Sequence, residues 1–315
     1  MNKIILFLLC FLLGSSFSTF AQGRDREIKI SRQQESPVKT VKVRGKGKIK
    51  NVVFMIGDGM SLAHMYSTWA ANKGKLNLEN CQTVGLAKTY CYDRLITDSG
   101  AAGTALATGH KTRYHAVGVD PEGKPLLTLT DLAAAKSKST GVVVTCRLND
   151  ATPAAFCAHN SDRDQAEALI ADYAGCGVDF IFGGGKRYFC ERKDGRNILE
   201  EMKALGYQTP ENQEQLDAIQ TGKVLAVWAD HDLPRPSVRK EMLTESTMKA
   251  LELLSQNKKG FFLMVEASQI DDYGHANQLD PLVEEILDFD RTIGKVFEWA
   301  AADGETLVVV TADHE

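Results

Sequence analysis

Short apolar runs rich in β-branched residues recur along the chain, and segments with a helical pattern separate them. Strands that are buried on both faces of a sheet give such continuous runs. Regular alternation of strands and helices favours an α/β fold, with a mostly parallel central sheet and helices on both faces. The predicted strands lie at 52–56, 141–145, 180–182, 224–228, 261–265 and 306–311, and the predicted helices at 99–108, 162–174, 240–255 and 282–302. A charged, glycine-containing stretch at 184–223 is expected to form an insertion or a surface subregion.

The N-terminus has the pattern of a secretory signal peptide. Lys3 supplies a positive charge, an apolar core follows at 4–13, and small residues around Ala21 suit a cleavage site. The apolar core is too short for a comfortable membrane span, so no transmembrane segment is expected. These patterns divide the chain into a signal peptide at 1–21, a basic flexible leader at 22–48 and one large domain at 49–315. The protein is therefore expected to be exported, as a periplasmic or secreted protein.

The net charge indicates which partners to expect, and the cysteine content indicates whether disulfides are possible. The net charge of −4 gives no reason to expect a nucleic-acid partner. Cys10 lies in the signal peptide, and the six cysteines that remain permit disulfides in an oxidising compartment. Many pairings are open. The short-range pairs Cys81–Cys91 and Cys176–Cys190 are the simplest of them.

Acidic residues and one histidine follow four of the predicted strands. They are Asp58, Asp150, Glu266, Asp271, Asp313 and His314. Ligands of open α/β sheets bind at the carboxyl ends of the strands, so these side chains are expected to meet at one edge. Each signal alone is weak, since a Gly-Asp-Gly sequence such as the one around Asp58 is typical of a simple turn.

The sequence around Ser99 places a serine at the start of a helix of small residues. Asp98 or Ser99 can act as a plain helix cap there. The same position also suits a nucleophile, because a helix N-terminus stabilises an alkoxide and a bound phosphate. Asp271 and His275 are four residues apart, so one helical turn can present both to one cation. A serine activated by one metal, with a second metal at the leaving oxygen, is a known arrangement for phosphoryl displacement.

Five strings occur in the order and rough spacing found in alkaline phosphatases. They are NVVFMIGDGM, TDSGAAGTALATG, DATPAAFCAHNSDR, VEASQIDDYGHANQ and VVVTADHE, and they span about residues 50 to 315. The domain at 49–315 thus resembles an alkaline phosphatase catalytic domain. The resemblance implies hydrolysis of small phosphate monoesters through a phosphoserine intermediate, with release of inorganic phosphate. It also implies two Zn²⁺ and one Mg²⁺ at each active site, and it allows a homodimer because the family is often dimeric.

The resemblance assigns a role to each matched residue. Ser99 looks like the nucleophile, and Arg163 resembles the arginine that grips two phosphate oxygens, which suits a planar guanidinium. Asp98 is expected to orient Arg163. The expected metal ligands are Asp271 and His275 for the first zinc, Asp58, Asp313 and His314 for the second zinc, and Asp58, Thr152 and Glu266 for the magnesium, with Asp150 in its outer shell.

The chain departs from the family pattern in two places. Many bacterial members have a lysine where this chain has Asp272, and an acid near the phosphate site is expected to weaken phosphate binding. The first zinc normally takes a further histidine from beyond the last string, so the domain is expected to be incomplete at its C-terminus. Two alternatives stay open: a phosphodiesterase or sulfatase-like hydrolase on the same core, and a truncated, inactive form that binds metal or phosphate.

Overall fold

A computed structural model describes residues 35–41 and 47–315 of the protein. The predicted signal peptide and most of the predicted leader lie outside these residues. Within them, seven strands form one sheet in which every neighbouring pair is parallel. The strands are β1 (Asn51–Gly57), β2 (Ser139–Arg147), β3 (Phe180–Gly184), β4 (Tyr207–Gln208), β5 (Lys223–Val227), β6 (Phe261–Ala267) and β7 (Thr306–Ala312). Their order across the sheet is β4-β5-β3-β2-β6-β1-β7, which confirms the predicted fold class.

Helices of very different lengths connect the strands. They are α1 (Leu62–Ala71), α2 (Ser99–Thr108), α3 (Leu129–Ala135), α4 (Ala151–Ala154), α5 (Ala166–Tyr173), α6 (Lys186–Cys190), α7 (Ile198–Ala204), α8 (Gln213–Ala218), α9 (Pro236–Arg239), α10 (Met242–Leu254), α11 (Gln269–His275) and α12 (Leu279–Asp303), with a 3₁₀ turn at Asn77–Asn80. In the described ranges, no helix has both the length and the apolar character needed to cross a membrane.

The two faces of the sheet pack against different helices. Because side chains along a strand alternate between the faces, neighbouring residues of one strand contact different helices. On one face, Val142 and Val144 of β2 join a core cluster with Ala133 of α3 and Ile170 of α5. On the other face, the space beside Gly141 is filled by Leu254 at the end of α10. The ring of Phe261 at the start of β6 contacts that of Trp299 on α12, with centroids 5.8 Å apart. Both faces are therefore covered, and all seven residues of β6 are buried.

The segment at 184–223 is part of the sheet and not a separate insertion. It supplies α6, α7 and α8 and the short strand β4, which pairs with β5 at one end of the sheet. β4 is two residues long, so it leaves almost no periodic signal in the sequence. The core positions Phe189, Ile198 and Met202 are fully buried. Most charged residues of the segment lie on its outer side, but the Arg192 side chain is buried and pairs with Asp194.

The strand register brings the polar residues together. Ile56 of β1 and Val144 of β2 both lie beside Glu266 of β6. The last residue of β1, Gly57, lies beside the last residue of β7, Ala312. The residues that follow these strands consequently leave the sheet at one edge, as the sequence predicted for strands of one direction.

Candidate active site

Ser99 is the first residue of α2 and is buried, with only 4% of its surface exposed. Its hydroxyl oxygen lies 3.1 Å from His314 Nε2 and 3.5 Å from Asp58 Oδ1. Ser99 lies at the positive end of the α2 helix dipole. Ser99 therefore combines a polarising helix end with direct contact to two of the predicted metal ligands.

Asp98 is the N-cap of α2, as the sequence analysis allowed. This structural role does not conflict with a second role in the site. Its carboxylate accepts hydrogen bonds from the backbone N–H groups of Gly100 and Ala101, at 3.1 and 3.2 Å, and from that of His115 at 3.0 Å. Burial alone raises the pKa of Asp98, but the His115 N–H and the Arg163 guanidinium outweigh it and hold the pKa below its usual range. Asp98 is thus a fixed anion directly beside the serine.

Asp58, Asp271 and His314 form a compact ligand group. One oxygen or nitrogen from each lies within 4.8 Å of the others, which is the spacing of side chains that share an ion. Asp313 supports the group, since its Oδ1 accepts the N–H of Gly59 at 3.0 Å and the N–H of His314 at 2.8 Å. Three separate chain segments therefore converge at the end of β1.

Gly59 is required for this convergence. It has a φ of +59°, in the left-handed region that favours glycine. A β-carbon at this position would also clash with the Asp271 carboxylate. The glycine after Asp58 thus allows the β1 turn and the start of α11 to approach each other closely.

A second polar group surrounds Glu266. Among the described residues, Thr152 Oγ1, Glu266 Oε1 and Asp313 Oδ2 are buried and form no hydrogen bond, although Asp313 Oδ2 lies 3.4 Å from His314 Nε2. Burial raises the pKa of Glu266 well above its ordinary value, and the neighbouring charges of Asp150 and Asp313 raise it further. Burial and the charges of Asp313 and Glu266 do the same to Asp58. Burying oxygens without hydrogen-bond partners costs folding free energy. Cations bound at this site would contact these oxygens and reduce the repulsion between the carboxylates.

Arg163 is held between two carboxylates. Its Nη1 donates to Asp98 Oδ2 at 2.9 Å, and its Nη2 donates to Asp150 Oδ1 at 3.0 Å. The other oxygen of Asp150 pairs with Arg147 Nη2 at 3.0 Å. Arg147 in turn donates through Nη1 to both oxygens of Asp232, at 3.1 and 3.0 Å. A cleft of about 420 Å³ opens beside these charges. It is lined by His115, Arg147, Asn149, Asp150, Arg163, Asp164, Ala166 and Tyr188.

Arg147 and Asp232 were not identified from the sequence. Arg147 is the last residue of β2 and lies three residues before Asp150. Its position at a strand end could therefore have identified it as a site residue. Asp232 had no such signal, because it lies in a loop far along the chain and reaches Arg147 only in the folded protein. The two residues extend the network around Arg163 beyond the predicted set.

His275 and Asp272 lie at the margin of the site. His275 Nε2 is 3.2 Å from Asp271 Oδ2, and its side chain is 79% exposed. It therefore contacts a member of the Asp58–Asp271–His314 group without belonging to that group. Asp272 is exposed, but partial desolvation of its carboxyl group and the charges of Asp232 and Asp150 raise its pKa to about 6. An acid thus stands close to the Arg147–Asp150 pair.

The donor atoms of the site fit zinc and magnesium. Imidazole and carboxylate together suit zinc, and the Asp58–Asp271–His314 group offers both. Hydroxyl and carboxylate oxygens suit magnesium, and Thr152 and Glu266 offer these as buried atoms without partners. The site therefore places a serine at a helix N-terminus beside side chains of the types that bind divalent cations.

Comparison with known proteins identifies the family. The family model described as "Alkaline phosphatase" matches residues 49–315. Alkaline phosphatase 4 of Bacillus subtilis is 38% identical over 299 residues, which cover 89% of this chain and 64% of the relative. Alkaline phosphatase of Escherichia coli K12 is 31% identical, and the match covers 84% of this chain and 70% of that protein. The chain belongs to the alkaline phosphatase family.

Solved structures agree with this assignment. The alkaline phosphatase of the Antarctic bacterium TAB5 superposes with a TM-score of 0.83 at 36% identity, covering 85% of this chain and 80% of that one. A mutant of the same TAB5 enzyme, described with Mg bound, has a TM-score of 0.81 at 35% identity, covering 87% and 79%. The match to the Bacillus subtilis relative spans less than two thirds of that relative's length.

Proposed function

We propose that this protein hydrolyses phosphate monoesters through a phosphoserine formed on Ser99, releasing inorganic phosphate. One observation carries the proposal: the buried Ser99 hydroxyl, at the N-terminus of α2, contacts both Asp58 and His314. Arg163 lies across the same edge and shares Asp98 with the helix cap. A nucleophile, candidate ligands for a cation and a phosphate-binding guanidinium are thus joined by direct contacts.

The proposed metal content is two Zn²⁺ and one Mg²⁺. The residues that would hold them are Asp271 and His275 for one zinc, Asp58, Asp313 and His314 for the other, and Asp58, Thr152 and Glu266 for magnesium, with Asp150 in the outer shell. When bound, such ions lower the pKa of the serine hydroxyl and offset the charge that develops on the phosphoryl and leaving oxygens.

The protein's own residues perform the remaining tasks. Ser99 Oγ attacks phosphorus in line with the leaving oxygen. The bond from phosphorus to the ester oxygen breaks as the Oγ–P bond forms, and the alcohol leaves with the proton that Ser99 gives up. Arg163 donates its N–H groups to two equatorial oxygens of the phosphoryl group. It is prepared for this because Asp98 and Asp150 fix the orientation of the guanidinium before substrate binds. Water then attacks the phosphorus of the phosphoserine in a second displacement, which breaks the Oγ–P bond, returns a proton to Ser99 Oγ and releases inorganic phosphate.

The test is hydrolysis of p-nitrophenyl phosphate by the chain from Gln22 to Glu315, with added Zn²⁺ and Mg²⁺ at mildly alkaline pH. We expect activity that disappears in Ser99→Ala, and a ³²P label on the wild-type serine after acid quenching. Faster hydrolysis of a phosphate diester or of a sulfate ester would favour a phosphodiesterase or sulfatase-like activity. A folded, zinc-loaded chain without turnover would favour the inactive binding form.

Export is also proposed, on the strength of residues 1–21. N-terminal sequencing of the protein recovered from outside the cytoplasm is expected to begin at Gln22. A protein that keeps Met1 and stays in the cytoplasm would contradict it.

A further inference from the structure

His115 is hydrogen-bonded through its backbone to the network around Ser99 and Arg163. Its N–H donates to Asp98 Oδ1 at 3.0 Å, and its carbonyl oxygen accepts the N–H of Arg163 at 2.8 Å. It also lies against the first turn of α2, since a β-carbon added at Gly100 would be 3.6 Å from the carbonyl carbon of His115. Gly100 directly follows Ser99 in the chain. His115 is therefore held beside both the proposed nucleophile and the proposed phosphate-binding arginine.

The backbone of His115 has a conformation that favours glycine. Its φ of +71° lies in the left-handed region, which a residue with a β-carbon adopts only at a cost in free energy. The two hydrogen bonds to Asp98 and Arg163 hold the backbone in this conformation. Residues kept in such conformations are concentrated at ligand-binding and catalytic sites. The side chain of His115 consequently leaves the backbone in a restricted direction relative to Arg163.

A neighbouring aromatic ring supports the imidazole of His115. The ring of Tyr114 is stacked on it, with centroids 4.9 Å apart and an interplanar angle of 27°. The guanidinium carbon of Arg94 lies 3.9 Å from the centroid of the Tyr114 ring and steadies that ring in turn. The side chain of His115 is still 42% exposed. The imidazole is thus a supported flat surface with a large part of its area available to a ligand.

This surface forms part of the wall of the cleft beside Arg163. His115, Arg163 and the aromatic side chain of Tyr188 all line the cleft, whose volume of about 420 Å³ suits a small molecule. An ester whose phosphoryl oxygens bind the Arg163 guanidinium has its organic group within reach of the same cleft. Parallel aromatic rings attract each other beyond the area that they bury. A flat organic group therefore gains a contact with His115 that a puckered group of similar size does not make.

We propose that this cleft binds the leaving group of the substrate and that His115 selects flat aromatic leaving groups by stacking on them. The inference rests on the proposed function for the reaction itself, and it adds the substrate class: phosphate monoesters of aromatic or heteroaromatic alcohols. The ring face of His115 provides the selectivity, whereas its backbone bonds only fix the position of that ring.

Binding of phenyl phosphate and cyclohexyl phosphate tests the proposal. The two esters carry six-membered rings of similar size, but only the phenyl ring is flat. Calorimetry on Ser99→Ala with added Zn²⁺ and Mg²⁺ measures both affinities without turnover, so the result is independent of whether the chain hydrolyses esters. We expect phenyl phosphate to bind about three- to tenfold more tightly, the usual gain from one stacked pair. Equal affinities, or binding of neither ester, would overturn the proposal.

Two substitutions of His115, each made in the Ser99→Ala chain, separate stacking from other roles. His115→Asn removes the ring but keeps a residue type that tolerates a positive φ. The preference for phenyl phosphate should disappear, while Tm stays within about 2 °C of the parent chain. His115→Phe keeps a flat ring without ring nitrogens and should retain the preference. Its loss in His115→Phe would overturn the stacking role and would favour a cation held by His115, Asp162 and Asp164, whose ligand atoms lie within 4.8 Å of one another.

Ser137→Asn is the matched control. Ser137 also has a positive φ, of +55°, and lies in the turn before β2, at the opposite end of that strand from Arg147. The preference for phenyl phosphate should be unchanged in this variant. If His115→Asn weakens the binding of both esters by the same factor and lowers Tm by more than about 5 °C, then His115 only supports the fold of the site and the proposal is wrong.

Discussion

Asp150 binds Arg163 and Arg147 with different oxygens of one carboxylate, each at 3.0 Å. The candidate phosphate-binding arginine is therefore oriented by a carboxylate that is itself oriented by a second arginine. Because Arg147 also forms two bonds to Asp232, the network is anchored to a loop that does not otherwise contribute to the ligand groups.

Arg147→Ala is expected to weaken substrate binding more than it slows turnover. Without Arg147, Asp150 loses one of its two partners and holds Arg163 less firmly. We expect KM for p-nitrophenyl phosphate to rise about three- to tenfold, or roughly 0.7–1.4 kcal/mol, with a smaller change in kcat. This is less than one full charge-assisted hydrogen bond because Arg163 keeps both of its carboxylate partners. Arg147→Lys should restore part of the loss. Arg196→Ala removes an exposed arginine paired with Glu201 and serves as the control. An equal fall of kcat in both arginine variants would contradict the positioning role.

Asp98→Asn is expected to lower stability in a pH-dependent way. The pKa of Asp98 is lowered in the folded protein, so its stabilising effect is fully present above the unfolded-state pKa of about 3.9 and is lost as pH falls through the folded-state value. At pH 7 we expect the variant to lose about 1–2 kcal/mol of unfolding free energy, through the weaker cap and the lost ion pair. The gap to the wild type should therefore narrow as the pH falls below the unfolded-state pKa. Urea unfolding measured across this pH range checks the prediction, and a gap that widens in acid would refute it.

Gly59→Ala is expected to damage both stability and metal binding. Alanine at a positive φ costs about 1 kcal/mol, and here its β-carbon also meets the Asp271 carboxylate. Gly109, the C-cap of α2, has a φ of +76° but open space around it, so Gly109→Ala measures the backbone cost alone. We expect a rise in Tm on adding Zn²⁺ to the wild type and to Gly109→Ala, and little or none for Gly59→Ala. The same zinc response in all three proteins would show that the close approach to Asp271 is unimportant.

Asp272→Asn is expected to strengthen inhibition by inorganic phosphate. The carboxylate stands near Asp150 and Arg147, so removing its negative charge reduces repulsion of an incoming dianion. We expect the inhibition constant for phosphate to fall about threefold to tenfold, within the range for a partly exposed charge. Asp280→Asn, which changes an exposed acid at the start of α12, is the matched control. A weaker inhibition in Asp272→Asn would indicate that Asp272 orients Arg147 instead of repelling phosphate.

The predicted strands and the longer helices were largely correct because burial on both faces leaves continuous apolar runs that the sequence displays directly. Helix α2 was predicted with the bounds that the structure gives it, since Asp98 and Gly109 mark both of its ends. The charged segment at 184–223 was misjudged, because its buried residues are separated by turns and its strand β4 is too short to show a period. The other helices that were not predicted are α1, α3, α4, α6, α7, α8 and α9.

The sequence by itself determined the main strands and longer helices, their alternation along the chain, and the residue types at the strand ends that meet as candidate ligands. It could do so because these depend on local pattern and on the single direction of parallel strands. Only the tertiary structure decided the long-range relationships between side chains: the pairing of Arg147 with Asp232, the contact of Ser99 with His314, and the buried Thr152 and Glu266 oxygens that lack a hydrogen bond. Those relationships depend on how distant segments pack against one another, and no spacing along the chain records that packing.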